Sequence, residues 1–210
     1  MEAPAERYSP PLTRLGRVRW LAPTAAVVAG VLPILHEQVL FPLLVALAEE
    51  NRSLIPWFQA LHSLIASIFP LAIALLAVEL YRRSDPGRVV AATRSIGVAS
   101  GSAQGLMYLL LALTAQDFPD SLIPIDRILG MGIGLWILLT AGTWRRGTGS
   151  ATFFTGLGIL AGVVVIADAL GVNASPLIRN VGIPVWFIWL AVRLLQDRTV
   201  DGSDARDVLS

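Results

Sequence analysis

The two histidines, His36 and His62, are the side chains of this 210-residue chain best suited to chemistry. Imidazole changes charge near neutral pH and is a common metal ligand. Glu37 follows His36 directly, but the zinc-protease pattern H-E-x-x-H is not met, because Leu40 stands where the second histidine would be. A bis-histidine haem needs one histidine from each of two facing helices at the same depth, and His36 and His62 satisfy that sequence requirement for a single haem.

The two histidines belong to a larger polar set that the sequence places near the same ends of five predicted helices. Charged groups inside a bilayer are costly and normally face the bundle interior with a partner. The members of this polar cluster are His36, Glu37, His62, Asp126, Arg127, Asp168 and Arg179.

Three interpretations of the polar cluster follow from the residue types. In the first, Asp126 and Asp168 pair with Arg127 or Arg179 and fasten the helix ends together, while Glu37 reaches water. In the second, the cluster is a site for a small molecule, ion or proton. In the third, the histidines and one aspartate bind a catalytic metal, which requires three protein ligands and a coordination position open for water.

Composition excludes several other chemistries. The chain has no cysteine, which rules out disulfides, thiolate nucleophiles and Cys-ligated clusters. No P-loop, dinucleotide fingerprint or G-x-S-x-G motif occurs. A net charge of +1 favours no nucleic-acid partner. We therefore expect no cofactor and no metal. All 16 basic residues are arginine and none is lysine, which is typical of a GC-rich bacterial genome.

The elements that must position these residues are membrane helices. The chain is 55% hydrophobic and only 15% charged, with a mean hydropathy of +0.67, whereas a soluble domain carries about 25% charged residues. A bilayer core needs roughly 20 apolar residues in a helix, and six segments meet or nearly meet that length: Leu21–Ala48, Pro56–Tyr81, Val89–Ala115, Pro124–Thr143, Ala151–Gly171 and Pro176–Leu195. The sequence predicts an all-α, polytopic transmembrane bundle.

The predicted domain organisation is an N-terminal tail over 1–20, the six-helix domain over 21–195, and a C-terminal tail over 196–210. The first segment is either one span or a span ending near Phe41 followed by an interfacial helix, because His36-Glu37-Gln38 interrupts it. Arginines fix the orientation. Placing both termini in the cytoplasm leaves only Arg52, Arg127 and Arg179 outside, and the other 13 of the 16 basic residues inside. The predicted location is the plasma (inner) membrane.

Glycines at four-residue spacing predict close helix packing. Small residues at this interval let helix backbones approach each other, and a packing role is the favoured interpretation over a cavity left by the missing side chains. Gln104 and Tyr108 lie on the same helix face as Gly101 and Gly105, so such a cavity could have a polar lining. The predicted packing glycines are Gly97, Gly101, Gly105, Gly130, Gly134, Gly158 and Gly162.

Two further patterns concern helix beginnings and kinks. The tetrapeptide beginning at Ser53 recurs at Ser121, in both cases with proline in the first turn of a helix, where its missing N–H costs no hydrogen bond. The preference of proline for the first turn of a helix would produce this recurrence, and so would a duplication of helical hairpins. Pro70 and Pro184 fall within predicted spans and are expected to kink them.

Two stretches of the C-terminal third are distinctive: Gly158-Ile159-Leu160-Ala161-Gly162 and the stretch from Pro184 to Leu195, PVWFIWLAVRLL. Together they resemble the ending of an uncharacterised family of six-helix bacterial membrane proteins. The resemblance implies the six-helix topology and carries no activity.

Function is predicted only by class. The first expectation is a structural or accessory membrane subunit without catalysis, with membrane lipids and either a helix-packing protein or a second copy as partners. The second is a small transporter or sensor that uses the polar cluster. The third is a lipid-modifying metalloenzyme or haem protein built on His36 and His62.

Overall fold

The computed structural model describes residues 20–84, 87–116, 118–143, 149–172 and 176–207. Every secondary-structure element in these ranges is helical. Six helical segments are long and apolar enough to cross a membrane, which confirms an all-α protein of multi-pass type. The predicted tail over 1–20 lies almost entirely outside the described residues.

The first two spans are the longest. Span one joins α1 (Leu21–Leu35) to α2 (Phe41–Glu50) through a π-helical turn at His36–Leu40, so it runs as one helical segment of 30 residues. A short 3₁₀ turn then leads into α3 (Ile55–Arg83). The helix is thus continuous through the polar interruption at His36-Glu37-Gln38.

Four further spans follow along the chain. They are formed by α4 (Arg88–Thr114), α5 (Ile123–Thr143), α6 (Gly149–Ala169) and α7 (Ile183–Asp207), with a second π-helical turn at Ile178–Gly182 before α7. Predicted and observed span ends agree within a few residues, apart from α7, which continues beyond Leu195. This agreement reflects how directly an apolar run reports the length of a membrane helix.

Consecutive spans pack side by side, and the last returns to the first. α1 packs against α3 and α7, α3 against α4, α4 against α5, and α5 against α6. The core between them is aliphatic and aromatic, with Trp136, Trp186 and Phe187 as its largest fully buried side chains.

The glycines of α4 lie where helices touch. A Cβ built on Gly101 would lie 2.5 Å from the carbonyl oxygen of Pro70, and one on Gly97 would overlap the indole of Trp136. A Cβ on Gly105 would lie 2.5 Å from Cγ of Leu71. Backbone approach between α3 and α4 therefore depends on the missing side chains.

The same holds between α5 and α6. A Cβ on Gly134 would lie 2.8 Å from the carbonyl oxygen of Gly162, and one on Gly162 would lie 2.7 Å from that of Gly134. Gly158 leaves space for the Trp186 indole of α7, and Gly130 lies beside Ala169.

The recurring tetrapeptide adopts one local structure at both described positions. Each copy forms a 3₁₀ turn, Arg52–Leu54 or Asp120–Leu122, that continues directly into a helix with proline as its second residue. Asn51 precedes the first of these turns, and its side-chain oxygen accepts a hydrogen bond from the backbone N–H of Ser53. Residues 144–148, which follow the fourth span, lie outside the described part of the chain.

Candidate functional site

The first and last spans each contain a π-helical turn, and a following proline explains the position of both. Each turn contains a backbone hydrogen bond between residues five apart. In the first, Phe41 N–H donates to the His36 carbonyl, and in the second, Ile183 N–H donates to the Ile178 carbonyl. Pro42 and Pro184 follow immediately. A proline lacks an N–H and clashes with the carbonyl four residues earlier, and the widened turn accommodates that carbonyl. Such turns occur often at functional sites.

The two turns belong to the first and last spans, which pack against each other, and an ion pair joins them. Nη2 of Arg179, in the second turn, lies 3.4 Å from Oε2 of Glu37, in the first. Both side chains are about half exposed, at 47% and 49%. The ion pair described for Arg179 is therefore with Glu37, and the pairing of Arg127 or Arg179 with an aspartate stays a prediction.

A pocket of about 610 Å³ opens behind this ion pair. Each of the six spans contributes at least one residue to its wall. The polar part of the lining consists of His36, Glu37, Gln38, His62, Gln104, Tyr108 and Arg179. The rest of the lining is apolar and includes Phe41, Phe69, Pro70 and Ile133.

The two histidines form an aromatic wall of the pocket together with Phe41. The ring centroids of His36 and His62 are 4.6 Å apart, and Phe41 lies 5.1 Å from His62 and 6.4 Å from His36. His36 is 7% exposed. Nε2 of His36 and Nδ1 of His62 are buried atoms, and neither has a hydrogen-bond partner among the described residues, which is rare for buried polar atoms.

Asp126 lies behind the pocket wall and holds two of its polar residues. Its Oδ1 accepts a hydrogen bond of 2.7 Å from Nε2 of Gln104 and one of 3.0 Å from the hydroxyl of Tyr108. Gln104 is buried. The predicted polar face of Gln104 and Tyr108 therefore lines the pocket, and Asp126 connects α5 to α4 through neutral donors.

Arg127 and Asp168 do not line the pocket. A Cβ on Gly171, just after α6, would lie 3.5 Å from Nη2 of Arg127, so this guanidinium reaches the end of α6. Asp168 lies in the last turn of α6, where its backbone carbonyl accepts a hydrogen bond from Gly171. The polar cluster thus separates into residues at the pocket and two residues, Arg127 and Asp168, that are not part of its lining.

The geometry bears on both metal interpretations. Among the described residues, no three His, Asp or Glu side chains come together as metal ligands. The two imidazoles also lie in direct contact, which leaves no space for a porphyrin between them. This arrangement fits neither the predicted three-ligand metal site nor a bis-histidine haem.

No protein-family model, curated protein or solved structure matches this chain. The family resemblance of the C-terminal third therefore stays a prediction.

Proposed function

We propose that this protein binds a small molecule in the pocket between its six spans and acts as a carrier or a receptor for it. One observation supports this proposal above the others: all six spans contribute to one pocket of about 610 Å³. Ligand pockets in proteins have volumes of about 300–1,000 Å³ and combine an apolar lining with a few placed polar groups. A subunit that only packs against a partner has no need of such a space.

The arrangement of the walls suits binding followed by a change of shape. The two π-helical turns lie on the first and last spans, and Glu37 and Arg179 connect them at the margin of the pocket. Parting of this half-exposed pair would remove the ion pair that joins the two turns. A carrier or receptor requires a movable contact of this kind.

We further propose that both termini are cytoplasmic and that the pocket lies toward the outer face of the plasma membrane. The arginine distribution supports this orientation. Cysteines introduced at Ser53 and Ser121 should react with an impermeant thiol reagent added to intact cells, and a cysteine introduced at Ser84 should not. Reaction of the Ser84→Cys variant from outside would reverse the orientation.

The absence of native cysteine allows a direct test of the pocket. Ala66 lines it, whereas Ala29 is fully buried in the core. In isolated membranes, the Ala66→Cys variant should react with a small thiol reagent and the Ala29→Cys variant should not. If the two variants are equally inert, the pocket is closed and the binding proposal fails.

A structural or accessory role is the second candidate, and α2 favours it. None of the ten residues of Phe41–Glu50 is buried, and Leu43 is among its exposed apolar side chains. A helical protein partner or a second copy would cover this surface, as lipid also would. This role predicts that filling the pocket by Ala66→Phe leaves function intact, while charged substitutions at Leu43 abolish it.

A further inference from the structure

Gln104 is a buried polar side chain of the pocket wall with one atom open to a ligand. It is only 9% exposed and lines the pocket. Its Nε2 donates a hydrogen bond of 2.7 Å to Oδ1 of Asp126, which fixes the orientation of the amide, because a carboxylate oxygen accepts and does not donate. Its Oε1 accepts no hydrogen bond from the described residues. The fully buried unpartnered atoms of those residues belong to His36, His62 and Trp186, so Oε1 is open and lacks a donor.

Asp126 places a negative charge next to this open oxygen. Its Oδ1 accepts hydrogen bonds from two neutral groups, the amide of Gln104 and the hydroxyl of Tyr108, and such bonds favour the ionised form of a carboxyl group. In the described part of the chain no arginine pairs with Asp126, and the guanidinium of the neighbouring Arg127 reaches Gly171 instead. An ionised group inside a bilayer normally has a partner of opposite charge, which here is missing.

The other charged groups of the pocket do not supply that partner. Glu37 and Arg179 pair with each other, so their charges cancel. His36 and His62 should be neutral, because an imidazolium carries two N–H donors and one nitrogen of each ring is buried with no acceptor among the described residues. With Asp126 included, the fixed charge around the pocket is therefore negative, which suits a ligand with one positive charge.

The remaining lining suits an organic cation. Phe41, Phe69 and Tyr108 contribute aromatic rings to the wall, and a cation is attracted to the face of such a ring. An ammonium group carries three N–H donors, which matches the open acceptor of Gln104. A hard metal cation instead takes six or more oxygen ligands, and no three carboxylate or histidine side chains come together among the described residues.

We propose that the ligand is a protonated amine with an apolar body, whose ammonium group donates a hydrogen bond to Oε1 of Gln104 and is balanced by the carboxylate of Asp126. A single amide group then separates the ammonium from the carboxylate, and the body packs against Phe41 and Phe69. This assignment rests on the proposed binding function and names its substrate class. Gln104 and Asp126 are the residues that select for the positive charge.

The probe for this assignment is 2-phenylethylamine, which is protonated at neutral pH. 2-Phenylethanol keeps the ring and the chain without the charge, and 3-phenylpropanoate carries a negative charge. Binding is measured by calorimetry on the full chain in an uncharged detergent. The wild type is compared with Asp126→Asn, which keeps an oxygen acceptor and loses the charge, and with Gln104→Met, which loses Oε1. Asp120→Asn is the matched control, because it removes a carboxylate at an exposed position.

The wild type and Asp120→Asn should bind 2-phenylethylamine at least tenfold more tightly than Asp126→Asn or Gln104→Met. The wild type should also prefer the amine to 2-phenylethanol by at least tenfold and bind 3-phenylpropanoate least, a comparison that does not depend on the folding of any variant. Equal affinity of the wild type and Asp126→Asn for the amine would overturn the assignment. So would equal affinity of the wild type for the amine and the alcohol.

The outcome also separates this assignment from the proposed function. If the thiol of the Ala66→Cys variant is reachable while 2-phenylethylamine binds no more tightly than 2-phenylethanol, the pocket stands and the amine assignment is wrong. If that thiol is inert, the proposed function itself fails.

Discussion

The imidazole rings of His36 and His62 touch across the α1–α3 contact, at 4.6 Å between centroids and with their planes inclined by 39°. They come from different spans, and each has one buried nitrogen with no hydrogen-bond partner in the described part of the chain. The pair contributes ring contact to the fold while these two polar atoms contribute none. The stability of the folded protein should therefore depend on the rings at these positions and not on those two nitrogens.

Replacing His36 by phenylalanine should not destabilise the protein. The substitution keeps a flat ring against His62 and Phe41 and removes an unpaired buried nitrogen, whose burial costs about 1–3 kcal/mol. We expect the free energy of unfolding in detergent to stay level or rise by about 1 kcal/mol, as measured by chemical denaturation. A decrease by more than that amount would mean that the nitrogen has a structural partner.

Gly101→Leu should damage folding severely. A side chain at this position would meet the Pro70 carbonyl and Ala74 of α3, at 2.5 Å and 2.8 Å for the first carbon alone. Overpacking of this kind costs about 1–3 kcal/mol or more. Gly142→Leu is the matched control, because no described atom lies within 4 Å of its Cβ position. Equal yields and melting temperatures for the two variants would show that the α3–α4 contact is misplaced.

Removing the Asp126 carboxylate should weaken the α4–α5 contact. Asp126→Leu leaves Gln104 and Tyr108 without their shared acceptor, and we expect a loss of about 1–3 kcal/mol in unfolding free energy. Asp126→Asn keeps one oxygen acceptor and should lose less. Asp120→Leu, at an exposed position, serves as the control. The prediction fails if Asp126→Leu is as stable as that control.

The Glu37–Arg179 pair should contribute little to stability. Both side chains are about half exposed and 3.4 Å apart, and exposed pairs are typically worth about 0.2–1 kcal/mol. A double-mutant cycle with Glu37→Gln and Arg179→Gln measures the coupling, and the charge-reversed double variant should restore most of it. A coupling above about 2 kcal/mol would indicate a desolvated pair and a rigid pocket margin.

The spans are far more predictable from the sequence than the contacts between them. The predicted span ends at Pro56, Tyr81 and Thr143 lie within two residues of the observed helix ends, because the length of an apolar run is a local property. Which face of each helix turns inward is also partly predictable, since Gly101, Gln104 and Tyr108 share one stripe.

The pairing of charges is not predictable in the same way. Arg179 meets Glu37 because the sixth span returns to the first, and neither periodicity nor hydropathy encodes the order of helices around a bundle. The π-helical turns are absent from the sequence prediction as well, although Pro42 carries a signal: it follows an interrupting polar stretch, just as Pro184 follows Arg179 and Asn180.

The most direct test of the binding proposal is the mass of the intact protein released from its own membrane. Native mass spectrometry should compare the wild type with Ala66→Phe, which fills the pocket, and with Ala103→Phe, which adds the same bulk on an exposed face of α4. We expect one additional small-molecule mass on the wild type and on Ala103→Phe, absent from Ala66→Phe. A bound mass that Ala66→Phe retains equally would contradict the proposal.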